Sequence, residues 1–312
     1  MQWIIFATSA YFFGALTVIF DKYLLGSQRI SSPPVYAFYV ALSGMAVLIF
    51  WPLSFFSPFF ALNFPTLSQF LLSIFSGIFF LFGITALYFA FKKAEASKVA
   101  PVAFSSIPLV TFCLSLFFKN EKFSSTVLVG LAAIILGGLL ISFDLPLKKG
   151  KKKFFVGFEL ALLSGFLQAI SLLTLKLVYL QQNFYNGYVW TRFGAFVGVG
   201  LLLLIPAWRK GIVRSMTQAK KAKKKNLQTG FLFVLNKIFG GSSSALINMA
   251  IKFGSVTLVS AMISLQYVFV LILAVLASTK IPHIFEERLK FWDWMQKLAA
   301  ILIIGVGMFL IS

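Results

Sequence analysis

The chain has 312 residues, of which 60% are hydrophobic and 12% charged, and carries a net charge of +20. A soluble globular domain carries roughly a quarter charged residues, so a mean hydropathy of +0.93 excludes an ordinary water-facing fold and points to a polytopic membrane protein. One cysteine, Cys113, excludes an internal disulfide and a cysteine-based metal site, and one histidine with eight acidic residues offers little for a metal or acid–base cluster.

A membrane-crossing helix needs about 20 apolar residues. In chain order such runs fall at 2–20, 35–56, 68–91, 97–118, 124–143, 155–180, 184–206, 229–251, 257–279 and 294–312. They predict an all-α membrane protein with ten transmembrane helices. The first run follows an uncharged Met-Gln, without the basic leader and cleavage site of a secretory signal, and is read as a retained helix. The fourth carries Pro108, a hinge candidate because an internal proline frees a carbonyl of its own helix. Two connections stand out, "DLPLKKGKKK" (144–153) and the 22-residue "AWRKGIVRSMTQAKKAKKKNLQ" (207–228). The first divides the chain into a five-helix unit over 1–143, a basic linker over 144–154 and a second five-helix unit over 155–312.

The two units repeat. "YFAFKKAEASKVAPVAFSSIPLV" (88–110) aligns with "NMAIKFGSVTLVSAMISLQYVFV" (248–270), setting Ala90 on Ala250, Lys92 on Lys252 and Val99 on Val259. "DKYLL" (21–25) aligns with "LKLVYL" (175–180), and "VLVGLAAIILGGLLIS" (127–142) with "KLAAILIIGVGMFLIS" (297–312). An odd number of helices per unit turns the second copy upside down relative to the first. In transporters with such inverted repeats, the substrate site lies near the midplane between them.

The small-residue turn, "ASKVAPVAFSSIPLV", a short loop with Glu121 and "LVGLAAIILGGLLIS" together resemble the EamA-type unit of the drug/metabolite transporter superfamily. In the second copy Val268 replaces Pro108, and the last loop lengthens to "KIPHIFEERLKFWDW", with Glu286 or Glu287 in the place of Glu121. The resemblance implies ten helices in two inverted halves around a central cavity. It also implies movement of a small metabolite such as an amino acid, a sugar, a nucleotide sugar or an amphipathic amine.

Cytoplasmic loops collect Lys and Arg. The odd-numbered connections hold 21 basic residues and the even-numbered ones three, Lys119, Lys122 and Lys252. This places the odd connections in the cytoplasm and both termini outside, in the cell's inner membrane. The same distribution argues against nucleic acid as a partner and for an anionic membrane surface. Membrane lipids and a small molecule are the expected partners, with the protein a monomer or homodimer.

Four basic residues fall inside predicted helices: Lys176, Arg192, Lys237 and Lys297. Lys237 lies about eight residues into its helix, roughly 12 Å deep at 1.5 Å per residue, and Arg192 at similar depth from the other side. Ionisable groups at such depth face a cavity or a partner, or else snorkel to the interface, as expected for Lys176 and Lys297. Lys237 stands in "LNKIFGGSSSALINMAI" (235–251), where Asn236, Ser243 and Asn248 add polarity and Gly240 and Gly241 permit a close helix contact. Ser106, Gln266 and Tyr267 on the helices that follow in each half, and Gln168 on the sixth helix, complete the candidate cavity wall. Ser73, Ser76, Thr85 and Tyr88 form a milder counterpart. With no acid placed near Lys237 and Arg192, an anionic substrate is expected to neutralise them.

No GxxxxGK[ST] loop is present, and no catalytic residue, cofactor or metal is expected. The reading is a secondary transporter or exporter working by alternating access. Its rivals are a lipid-linked-sugar flippase, with a cavity open sideways to lipid, and an intramembrane lipid-modifying enzyme, which needs acids or metal ligands that are scarce here.

Overall fold

The computed structural model describes residues 2–26, 32–93, 96–118, 124–142, 157–218, 223–278 and 291–311. Glu121, Glu286, Glu287 and the 144–154 linker lie outside the described residues. The order of elements is α1 (Gln2–Gly26), α2 (Pro33–Gly44), 3-10 stretches at Met45–Phe55 and Pro58–Phe60, α3 (Leu67–Lys93), α4 (Ala96–Phe118) and α5 (Ser125–Ser142). There follow α6 (Phe158–Gln181), α7 (Phe184–Leu204), α8 (Pro206–Gln218), α9 (Lys223–Phe253), α10 (Val256–Ala261), α11 (Ile263–Ser278) and α12 (Phe291–Ile311). The described residues contain no strand. Among the described residues, six helices are long and apolar enough to cross a membrane, and four shorter apolar helices lie within 102–114, 125–137, 256–270 and 295–310. Large apolar side chains cover the outside, with Ile49 at 74%, Leu302 at 71% and Phe309 at 80% exposure, as suits a protein embedded in hydrocarbon.

Three predicted segments differ from the structure. The run at 35–56 starts as α2, with Pro33 and Pro34 at its first turn, then tightens into a 3-10 helix from Met45 with Pro52 inside it. Pro52 has no N–H to give to a helical ladder, so an unbroken apolar run is not one α-helix. The run at 257–279 is likewise two helices, meeting at Met262. The basic connection at 207–228 is largely helical: α8 buries Ile212, turns Arg209, Lys210 and Arg214 outward, and rests Trp208 on Phe89 at 5.7 Å. A search for continuous apolar runs passes over such an amphipathic helix.

Packing is organised by long pairs. α1 lies along α9, α3 along both α6 and α7, and α5 along α12, while α4 packs on α6 and α11 on α1. At the α3–α7 crossing, a Cβ on Gly77 meets the backbone of Thr191, Gly194 and Ala195, and one on Gly194 meets the backbone of Ser73 and Ile74. In the α5–α12 pair, Gly137 faces Ala300 and Ile304, while Gly307 faces Gly130 and Ile134. Small residues here let backbones approach closely, as membrane helices require.

Candidate functional site

The helices that carry the bridging polar residues form two groups, α1 with α9, and α2, α3, α6 and α7 packed on one another, while α4 and α11 carry the remaining candidates. Polar side chains bridge the groups at successive levels along α9.

At the first level stands Asp21, near the end of α1 and 8% exposed. Its Oδ1 accepts from the Tyr36 hydroxyl on α2 and from Asn236 Nδ2 at 2.6 Å, and lies 3.9 Å from Lys237 Nζ. Asn236 Nδ2 also reaches the Tyr36 hydroxyl at 2.9 Å, and Lys237 donates to it at 3.4 Å. The Lys237 ammonium sits over the rings of Tyr36 (4.7 Å) and Phe233 (5.1 Å), a cation–π cage. Tyr88 on α3 packs its ring 4.6 Å from that of Tyr36. This corrects the expectation that Lys237 lacks an acid: its partner is Asp21, which the reading of apolar runs left one residue beyond the first span.

Two turns further along α9, Arg192 of α7 hydrogen-bonds the Ser244 hydroxyl through Nη2. Its guanidinium lies between the rings of Phe80 (5.0 Å) and Tyr188 (4.8 Å). Among the described residues no acid pairs with it, and its buried Nε has no hydrogen-bond partner. Asn248 Nδ2 donates to the Ser244 carbonyl at 2.6 Å, and Asn248 Oδ1 accepts from the Tyr179 hydroxyl of α6 at 2.5 Å. At the far end, Lys176 of α6 donates to the carbonyls of Ile251, Lys252 and Gly254 at 2.6, 3.2 and 2.9 Å. Lys176 therefore does not snorkel. It satisfies the open carbonyls at the end of α9, where a cation also meets the negative end of the helix dipole.

The other candidates serve seams between helices. Ser243 donates to the Ala10 carbonyl of α1 at 2.8 Å, and a Cβ on Gly14 meets both Ser243 and Gln266. Gln168 donates to Ser164 of its own helix at 2.9 Å and abuts Gly83. Ser106 bonds the Ala103 carbonyl at 2.7 Å and abuts Gly165, while Tyr267 stacks on Phe104 at 6.3 Å. Pro108 is buried in an uninterrupted α4. The structure thus joins Lys237 with Asn236, and Arg192 with Asn248 through Ser244. It holds Ser243 with Gln266 at Gly14, and Ser106 and Gln168 on separate contacts of α6.

The glycine pair of the polar run also differs from expectation. Gly240 meets only the Thr17 side chain, at an ordinary 3.5 Å, and Gly241 has open space around it. Gly241→Leu is therefore expected to change stability by no more than about 0.5 kcal/mol, read as the thermal midpoint of the purified protein. A large drop means that Gly241 is a packing residue after all.

Residues 1–143 match the EamA-like transporter family. The matched part spans α1 to α5 and brings Asp21, Tyr36 and Tyr88 to the bridge with α9. A solved structure described only as "Crystal structure of protein" covers 97% of the chain and 96% of its own length, with a TM-score of 0.62 at 15% identity. That likeness is one of fold, and it extends over residues 1–143 and the helices after them. No curated protein matches the sequence.

Proposed function

We propose that the protein is a ten-helix transporter made of two inverted repeats, 1–143 and 155–312, joined by the basic linker 144–154, which moves a small anionic metabolite by alternating access. Six long and four shorter apolar helices agree with ten spans. Exchange of the halves carries one contact onto another. Gly137 and Gly307 are equivalent positions 170 residues apart, as are Ile134 and Ile304, and each glycine faces the other's isoleucine across α5 and α12. A two-fold axis relating the units produces reciprocity of this kind, which supports the repeat. Gly14 against Ser243 and Gln168 against Gly83 correspond in the same way, each seam setting a glycine opposite a polar side chain. The charge bias supports cytoplasmic odd-numbered connections, with α1 ending on the cytoplasmic side.

The observation that carries the substrate class is Arg192. A guanidinium between two aromatic rings, with a buried unsatisfied Nε and no acid beside it among the described residues, lacks the counter-charge that a low-dielectric site demands. A substrate carboxylate or phosphate supplies that charge, and Phe80, Tyr188 and Ser244 bracket it. Access alternates as the bridge at Lys237, midway along α9, and the bridge at its C-terminal end break in turn. Thermal-shift measurements with carboxylates, phosphate esters, neutral sugars and quaternary amines test this. An anion is expected to stabilise the parent best, and Arg192→Gln to need about ten to a hundred times more of it, since a hydrogen bond to a charged group contributes about 1.5–3 kcal/mol. A cation as best ligand, or equal response of both proteins, overturns the anionic reading.

A further inference from the structure

We propose that Asp21 binds the proton that couples transport, and that its protonation unfastens the bridge between α1/α9 and α2. This rests on the transport function proposed above. Among the described residues Asp21 is the acid inside the bridged path, and its interactions are one-sided. Tyr36, Asn236 and Lys237 all approach Oδ1, and no donor among the described residues reaches Oδ2. Oδ2 is thus the oxygen open to a proton. When hydronium transfers its proton there, an O–H bond forms and water leaves. The carboxyl becomes neutral, and the ionic part of its hold on Lys237 disappears.

The surroundings make that change consequential. From α2 the titratable group facing Asp21 is Tyr36, from α3 it is Tyr88 behind the Tyr36 ring, and from α9 it is Lys237, beside the uncharged Asn236. α10 and α11 meet α1 farther along, at Tyr11 and Gly14, through the Val259 carbonyl and Gln266. With Asp21 ionised the cluster is neutral, and with Asp21 protonated it keeps one uncompensated cation. An unpaired charge in low dielectric is costly, so the protonated state favours an arrangement in which Lys237 reaches water. The contacts that must part for this are those of Tyr36 with Asp21, Asn236 and Lys237, which join α2 to the α1/α9 pair. Uptake of a proton at this level therefore opens the path toward Arg192 from the side where α1 ends. An anion and a proton bound together offset each other's charge, which is the electrostatic basis of coupling.

The test uses the full chain in lipid nanodiscs, with Cys113→Ser and Ser244→Cys, and a water-soluble thiosulfonate reagent. Position 244 lies seven residues beyond Lys237, roughly 10 Å deeper, so the reagent reaches it from that side only past the bridge. Labelling rates are normalised to those of a free thiol at each pH. Acidification is expected to raise the normalised rate about tenfold, the size of a modest population shift. Asp21→Asn, which mimics the protonated carboxyl, is expected to label fast at every pH. If Asp21→Asn does not fold, Asp21→Asn with Lys237→Met replaces it, and its rate is expected to be independent of pH. A parent rate that does not change with pH, or a pH response that persists without the Asp21 carboxylate, overturns the proposal. No substrate enters this measurement, so failure of the Arg192 reading and failure of the proton site are seen separately.

Discussion

Asp21→Leu is expected to lower the thermal midpoint of the purified protein sharply, and Lys237→Met in the same chain to restore most of the loss. Leucine removes the acceptor of Tyr36, Asn236 and Lys237 at once and leaves an ammonium between two aromatic rings without its counter-charge. Breaking one side of a buried pair costs about 3–5 kcal/mol, whereas replacing both members by apolar groups of similar volume is often neutral or stabilising. The coupling between the two substitutions is therefore large and favourable, and a double-mutant cycle on thermal midpoints measures it. Simple additivity of the two losses means that Lys237 does not depend on Asp21.

Gly77→Leu is expected to abolish the folded protein altogether. The nearest atoms to a side chain at Gly77 are backbone atoms of Thr191, Gly194 and Ala195, and a backbone cannot rotate aside as a side chain does. Overpacking against movable side chains costs about 1–3 kcal/mol, and here α3 and α7 themselves must separate. Those helices hold Tyr88, Phe80, Tyr188 and Arg192, so the aromatic slot around the guanidinium opens with them. Size-exclusion profiles of detergent extracts should show a monodisperse peak for Gly241→Leu and none for Gly77→Leu. A well-behaved Gly77→Leu protein contradicts the close α3–α7 crossing.

The contrast between those glycines shows what the sequence carries and what it does not. Apolar runs mark most of the helices, because hydrocarbon demands continuous hydrophobicity of about 20 residues. Pro52, inside one run, is the signal for the 3-10 stretch. α8 has an amphipathic pattern that apolar counting ignores. Lys237 and Arg192 were legible as charges out of place, because their neighbours in sequence are apolar. Their partners were not, since Asp21 and Ser244 come to them from distant segments. Gly241 and Gly77 look alike along the chain, and only the crossing of α3 with α7 tells which has no room for a side chain. Lys176 looked like a snorkelling residue because the end of α9, whose carbonyls it meets, lies about 75 residues away.

The bridge at Asp21 also has a history in the making of the chain. Asp21 and Asn236 are 215 residues apart, while Tyr36 follows Asp21 by only 15. At roughly 5–20 residues per second of synthesis, the amide and the ammonium on α9 emerge some ten to forty seconds after the acid. Of the donors in this cluster, the hydroxyl of Tyr36 is the one synthesised within 15 residues of the acid. Tyr36 is thus the partner of Asp21 in this cluster that precedes α9 in the order of synthesis.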